Sequence, residues 1–168
     1  HSIVPVIVVW LLITGALTVL MIIHPGITGV NKLSASADEK VDIVVQVKGS
    51  RFVWEVTYPE QQVTIYSVVP EHEMVLPVGK HIRFDVTSTD VLHAFWVSAF
   101  RMKIDAVPGL VTNIYATPNK TGSFDDDIGF RLQCAELCGV DHNAMQLPVR
   151  VVEQNEFDAW VAQNTQSS

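Results

Sequence analysis

The hydrophobic positions of this chain follow two regimes. Ile3 to Ile23 reads IVPVIVVWLLITGALTVLMII, with no charged residue and no polar face. As a helix, roughly 21 residues at 1.5 Å each reach about 31 Å, close to the hydrocarbon thickness of a bilayer. Pro5 suits a first helical turn, and His24-Pro25-Gly26 predicts the stop. An apolar surface all the way round argues against the core helix of a soluble domain. Ala35-Ser36-Ala37 resembles a signal-peptide cleavage site. However, no basic residue precedes the run, the run is long for a signal core, and the triplet lies well past its end. The pattern therefore predicts a retained membrane anchor over residues 1–26, with Thr14, Gly15 and Thr18 as a small-residue face for packing on other membrane helices.

Residues 27–40 are small and polar and read as a linker. From Val41 the period shortens to two. VDIVVQV, RFVWEVTY, HIRFDVTS, LHAFWVS, VTNIYAT, FRLQC and PVRVVE all read as strands; in one of them Ile82, Phe84 and Val86 alternate with Arg83 and Asp85. Turn signals separate the runs at Pro77-Val78-Gly79, Pro108-Gly109, and Pro118-Asn119 with Gly122. Short strands at this spacing predict an all-β sandwich or barrel over residues 41–168. A short C-terminal helix is predicted in NEFDAWVAQN, with Asn155 as its cap, Asp158 three residues on, and Phe157, Trp160 and Val161 packing on the barrel.

Composition adds little to this division. A length of 168 residues suits one domain with an appendage, and the apolar run accounts for the 48% hydrophobic content. The net charge of −7 and the lack of a basic stripe exclude nucleic acid as a partner, while permitting a cationic protein.

The chemistry is concentrated in CAELCGVDHNAM, residues 134 to 145, which holds both cysteines of the protein, one histidine and one methionine. Thiolate, imidazole and thioether together favour copper, whereas hard cations want oxygen. A mononuclear blue-copper site uses one Cys, two His and a weak Met, so the second thiol exceeds its need. Two thiolates can bridge two metals, which then requires a second imidazole. His93 in DVLHAF, on a predicted strand, is the best donor; His24, His72 and His81 have no thiol or Met nearby and read as ordinary surface or packing residues. A local disulfide and a zinc half-site remain alternatives for Cys134 and Cys138, but a disulfide has no use for His142 and Met145.

CAELCGVDHNAM resembles the binuclear copper signature C-x-E-x-C-G-x-x-H-x-x-M of cytochrome c oxidase subunit two, and DVLHAFWV and KIDAVPG resemble two further stretches of that family in the expected order. The resemblance implies a cupredoxin-like Greek-key β-barrel outside the bacterial plasma membrane or the mitochondrial inner membrane, tethered by an N-terminal helix. It implies that Cys134 and Cys138 bridge two copper ions, with His93 and His142 as terminal ligands. Met145 is then a weak ligand to one copper, and the carbonyl of Glu136 a ligand to the other. The Glu136 carboxylate would reach a magnesium or manganese ion at the interface with oxidase subunit one. The implied role is electron relay, from cytochrome c or another haem donor to haem in subunit one, where oxygen is reduced; further membrane subunits are expected partners.

The match departs at GSRFVWEVTY, where Phe52 stands in the position of a Trp that receives electrons in the family, and Trp54 fits a second aromatic position. Phe52 and Trp54 are candidates for the donor face. The acidic run Asp125, Asp126 and Asp127 is a solvated turn or a docking patch for a basic cytochrome, with Asp90, Asp105 and Asp141 adding to its field. Most relatives have two anchoring helices; one is visible here. Two rivals are the copper domain of nitrous oxide reductase, which is soluble, and a tethered chaperone binding one labile copper. A quinol oxidase subunit would share the barrel but lack the thiols.

Overall fold

The computed structural model describes residues 2–165; His1 and residues 166–168, where the expected anchor and copper-domain spans begin and end, lie outside the described residues. The chain forms two compact units, His1–Glu39 and Lys40–Ser168.

In the first unit α1 spans Val4–Met21, with Pro5 in its first turn, where the missing N–H removes no hydrogen bond. None of its residues is buried, and its large apolar side chains all face outward. Thr14 donates to the Trp10 carbonyl and Thr18 to the Thr14 carbonyl, each at 2.8 Å, so both hydroxyls are satisfied within their own helix. The expected stop at His24-Pro25-Gly26 is instead a kink. His24 leaves helical geometry (φ −142°, ψ 115°), as the residue before a proline is pressed to do, and α2 then runs over Thr28–Asp38. The segment read as a linker is therefore largely helical. His24 Nδ1 lies 2.8 Å from Thr28 Oγ1 across the kink. Among the described residues, Val4–Asp38 is the stretch long and apolar enough to cross a membrane by length and composition.

The second unit is a β-sandwich with a short C-terminal helix, as expected. Its strands are β1 Ile43–Ser50, β2 Val53–Tyr58, β3 Val63–Tyr66, β4 Met74–Pro77, β5 Ile82–Ser88, β6 His93–Val97, β7 Met102–Ala106, β8 Thr112–Ala116, β9 Gly122–Ser123, β10 Arg131–Cys134 and β11 Gln146–Val152. One sheet has the order β3-β2-β1-β5-β8; the other has β4-β11-β10-β6-β7, with β9 paired on β11. The pairings β1–β5 and β4–β11 are parallel, and the rest are antiparallel. All seven expected strands form. Of the four that the pattern reading left out, β4 is buried at every position and β9 has two residues, whereas β3 and β7 do alternate but are only four and five residues long.

The core lies between the sheets and follows from the period of two. Val45 and Val47, Trp54, Val56 and Tyr58, and Ile82, Phe84 and Val86 point inward from one sheet. Phe95, Val97, Leu132, Leu147 and Val149 point inward from the other. α3, Gln154–Asn164, closes one side by burying Phe157 and Trp160, with Val161 beside them. Asn155 is not its cap: the helix begins one residue earlier, Glu153 occupies the cap position without a side-chain bond, and Gln154 instead donates to Asp158. The ring of Tyr58 meets Phe157 and Trp160 at centroid distances of 6.3 and 5.2 Å, and its hydroxyl donates to the Val75 carbonyl at 2.8 Å.

Burial raises the Tyr58 pKa, so the phenol stays protonated and able to donate throughout the physiological range. Tyr58→Phe removes this buried bond and should lower stability by about 1–2 kcal/mol. Denaturant unfolding of the full chain in detergent measures this, and an unmoved midpoint would show that the hydroxyl contributes nothing.

Candidate metal centre

Two elements bring the donors together. In β6 the side chains of His93, Phe95 and Val97 share one face, so the period that buries Phe95 also turns His93 into the core, where it is fully buried. In β10 the same rule turns Leu132 and Cys134 inward and Gln133 outward. β6 and β10 are paired antiparallel, with Cys134 opposite Phe95, which sets Cys134 beside His93. The loop from β10 to β11 then carries Cys138 and His142 back over the same point and delivers Met145, fully buried, at the start of β11.

The donor atoms converge. His93 Nδ1 is 3.7 Å from Cys134 Sγ, the two Sγ atoms are 3.8 Å apart, and Cys138 Sγ is 3.5 Å from His142 Nδ1. The ligand atoms of His93, Cys134 and Cys138 all lie within 4.8 Å of one another. Both cysteines are free thiols, and their separation is far beyond the roughly 2 Å of a disulfide, so the disulfide alternative is not the state observed. The Cys134 thiol donates to the Glu136 carbonyl at 3.1 Å, while the Glu136 residue itself is exposed, so its carbonyl faces the sulfurs and its side chain lies on the solvent side. Soft sulfurs, two imidazoles and one carbonyl at these spacings fit a thiolate-bound copper centre; the oxygen donors that magnesium or calcium require are lacking around the sulfurs.

Electrostatics prepare the donors. Asp90 accepts from His93 Nε2 at 2.9 Å and Val91 N at 2.6 Å on one oxygen, and from Arg51 N at 2.8 Å and Arg51 Nε at 3.3 Å on the other. Burial works to raise the pKa of Asp90, but the bonds from His93 and from the Val91 and Arg51 amides outweigh it and hold the carboxylate well below its usual range. An ionised carboxylate only accepts, so His93 carries its proton on Nε2 and leaves the Nδ1 lone pair facing Cys134. Burial, then the neighbouring Cys134, push the Cys138 thiol up to about 11. Without a metal that sulfur holds its proton.

The surrounding residues are less visible in sequence. Trp54 is fully buried. Its Nε1 donates to the Met145 carbonyl at 3.3 Å, and its ring stands edge-on to His93 and Phe95 at 6.0 and 6.4 Å. Trp54 therefore presents no exposed face for docking; it forms the inner wall of the site, and truncating a buried Trp to Ala costs about 3–5 kcal/mol. The Met145 carbonyl also accepts from Cys134 N at 3.2 Å, which ties the two ends of the loop together. Gly49 leaves room for that wall, since a Cβ there would lie 3.0 Å from His93 Cδ2 and 3.1 Å from Trp54 Cζ3. Phe52 is half-buried, and its ring covers Gly139 of the loop. Gly139 has φ +143°, and a Cβ there would lie 2.7 Å from Phe52 Cζ.

Other expected residues lie elsewhere. Asp125, Asp126 and Asp127 form an exposed turn between β9 and β10, closed by Ser123 donating to Asp126 and Gly129 N donating to Asp127, each at 2.8 Å. That turn leads into Arg131, at the end of β10 opposite Cys134, so it does not join the metal site. Asp90, expected to add to an acidic field, is exposed, with one oxygen bonded to His93 and the other to Arg51. His72 accepts from Tyr66 N at 2.9 Å, and buried His81 stacks on Tyr115 at 5.6 Å, so both are structural.

The fold and the donor set agree with what comparison with known proteins finds. The profile of the cytochrome c oxidase subunit II periplasmic domain matches residues 50–152. Cytochrome c oxidase subunit 2 of Thermostichus vulcanus is 37% identical over 123 residues, 73% of this chain and 34% of that protein. The subunit 2 of Alkalihalophilus pseudofirmus is 34% identical over 119 residues, 71% of this chain and 32% of that protein. This chain thus spans about a third of the length of these relatives. The crystal structure of the periplasmic domain of subunit II of cytochrome oxidase from Bradyrhizobium japonicum superposes with a TM-score of 0.66 at 37% identity, covering 75% of this chain and 95% of that one. A second structure, subunit II of a cytochrome c oxidase in a mixed disulfide with a thioredoxin-like protein, gives 0.64 at 39% identity, covering 74% and 92%. With the match extending over most of the β-sandwich and both ligand-bearing segments, the chain belongs to the cytochrome c oxidase subunit II family.

Proposed function

We propose that this chain is the electron-accepting subunit of a terminal respiratory oxidase, with a binuclear copper centre held by Cys134 and Cys138 as bridges, His93 and His142 as terminal ligands, and Met145 and the Glu136 carbonyl as weaker ligands. The observation that carries this reading is the linked row His93 Nδ1, Cys134 Sγ, Cys138 Sγ, His142 Nδ1, with successive separations of 3.7, 3.8 and 3.5 Å. One thiol would complete a mononuclear site; two adjacent thiols, each with its own imidazole, suit two ions. Two copper ions held by these residues would supply a one-electron carrier shared between them.

The rest is the work of the chain's own residues. The core holds Cys134, His93 and Met145, so their positions change little whatever the charge at the centre. Asp90 fixes the tautomer of His93, and Trp54 excludes water on the inner side. The donor set and the family together support a relay: the chain would pass one electron at a time from a haem donor to haem in a partner subunit, where oxygen is reduced. Leu137 and Val140, 80% and 89% exposed on either side of Cys138, form an apolar rim that suits a partner surface over the loop. The exposed Glu136 carboxylate suits a magnesium or manganese ion at that interface. The apolar run Ile3–Ile23 would anchor the chain, with the copper domain on the periplasmic side, as the names of its relatives suggest. The mixed disulfide formed by the related subunit II suggests that Cys134 and Cys138 are kept reduced by thiol exchange before copper is loaded. The full donor set argues against a chaperone holding one labile copper.

The copper-loaded full chain should bind two copper ions, and its electron spin resonance should show more hyperfine lines than one copper nucleus gives. Cys138→Ser should abolish that pattern; its survival would remove Cys138 as a bridge. A second expectation follows from the raised Cys138 pKa. Metal must displace its proton, so below pH 11 binding strengthens with rising pH, by about tenfold per pH unit from this thiol alone. Titration with Co2+ between pH 6 and pH 8, followed by its thiolate absorption, measures the slope. A flat profile would mean that the thiol is not a ligand.

A further inference from the structure

The turn between β1 and β2 is an uncommon hairpin connection. Ser50 pairs with Val53, so Arg51 and Phe52 alone make the connection. Two-residue hairpin connections commonly carry Asn-Gly, Asp-Gly or Gly-Gly, which accept positive φ, but neither Arg51 nor Phe52 has a positive φ, so this connection is of a different kind. It carries two large side chains. Each reaches a different half of the metal centre. Arg51 binds Asp90 through its amide at 2.8 Å and its Nε at 3.3 Å, and Asp90 holds His93 at the start of β6. Phe52 lays its ring on Gly139, between Cys138 and His142 in the β10–β11 loop. The contact is too close for any side chain at that position, and the backbone at Gly139 is one that other residues rarely adopt.

We propose that the Arg51-Phe52 turn is a clasp that holds the β6 and β10–β11 ligand segments against each other, making Arg51 and Phe52 positioning residues for the metal centre. The proposal rests on the copper reading for its purpose, but not for its geometry. The two ligand segments are also tied by the short β6–β10 pairing, which runs on to the bond from Ala135 N to the Ala94 carbonyl, and by Trp54 between His93 and the Met145 carbonyl; beyond Ala135 the loop leaves the sheet. Leu137 and Val140 are exposed, so the outer side of the loop has no packing of its own. Phe52 supplies the cover, and Asp90 supplies the matching hold on the histidine. The Arg51–Asp90 ion pair is partly exposed and adds little stability by itself. Its effect is one of direction: with the Arg51 amide it occupies one oxygen of Asp90 and leaves the other aimed at His93.

The test replaces Arg51→Asn together with Phe52→Gly in the full chain. This removes the Arg51 guanidinium and the Phe52 ring, while the bond from the residue-51 amide to Asp90 stays in place. Three quantities are read. In the metal-free protein, the rate at which a thiol reagent modifies Cys134 and Cys138 should rise about tenfold or more, because the loop opens more often. In the copper-loaded protein, affinity measured against a chelator should fall about tenfold or more, as is usual when a residue orienting a ligand is lost, and the hyperfine pattern should become unequal. The denaturant midpoint of the metal-free chain should stay near that of the wild type, which a purely structural role would not allow. A folded double variant with thiol rates and copper affinity within twofold of wild type overturns the proposal. Should that variant fail to fold, Phe52→Leu keeps an apolar turn and reads the ring contact alone: faster thiol modification supports the clasp, and an unchanged rate overturns it. Because thiol modification needs no metal, a wild-type chain lacking the shared-copper spectrum would defeat the copper reading while leaving the clasp to be judged separately.

Discussion

Two buried sulfur atoms, 3.8 Å apart, are near enough to share an ion and too far apart to be bonded to each other. Most of the sandwich contributes to keeping them so. Cys134 is fixed by a strand whose alternate residue, Leu132, is locked in the core, and its amide is tied to the Met145 carbonyl that the Trp54 indole also holds. Cys138 has only the loop, and the loop is shaped by a glycine with positive φ under an aromatic ring. The site thus joins one rigid half to one half that depends on its cover. Two free thiols beside a buried imidazole make a donor set that suits a soft cation.

The metal centre draws on both sheets. Gly49 and Trp54 belong to the sheet that contains β1 and β2, whereas His93, Cys134 and Met145 belong to the other or to its loops. The small residue on one sheet and the histidine on the other are complementary: His93 occupies the volume that a side chain at position 49 would fill. Asp90 completes this, because an acceptor-only carboxylate leaves His93 one tautomer and therefore one free nitrogen.

The cluster of donor side chains is legible in the sequence because its spacing is short and chemically unusual. Cys134, Cys138, His142 and Met145 fall within one loop, and His93 was reached by asking which imidazole could sit on a neighbouring strand. The strands with clean alternation were equally plain. What escaped notice depends on contacts between distant segments. The division of Asp90 between its partners Arg51 and His93 does not follow from its neighbours in sequence. Trp54 has the same composition signal as an exposed aromatic, and only the register of β2 sends it inward. The helical backbone of Thr28–Asp38 was missed because small polar residues and the His24-Pro25-Gly26 signal both argue for a break, and the chain makes a kink and then continues.

The parallel pairing of β4 with β11 carries a consequence for biosynthesis. Residues 74–77 wait for partners at 149–152, so the second sheet cannot close until the segment through β11 has been made. The loop bearing the thiols lies immediately before that final strand. Both sulfurs are buried in the finished sandwich, and until β11 docks the loop before it lacks that cover, so in an oxidising setting they would stay open to oxidants for as long as this long-range pairing takes to form.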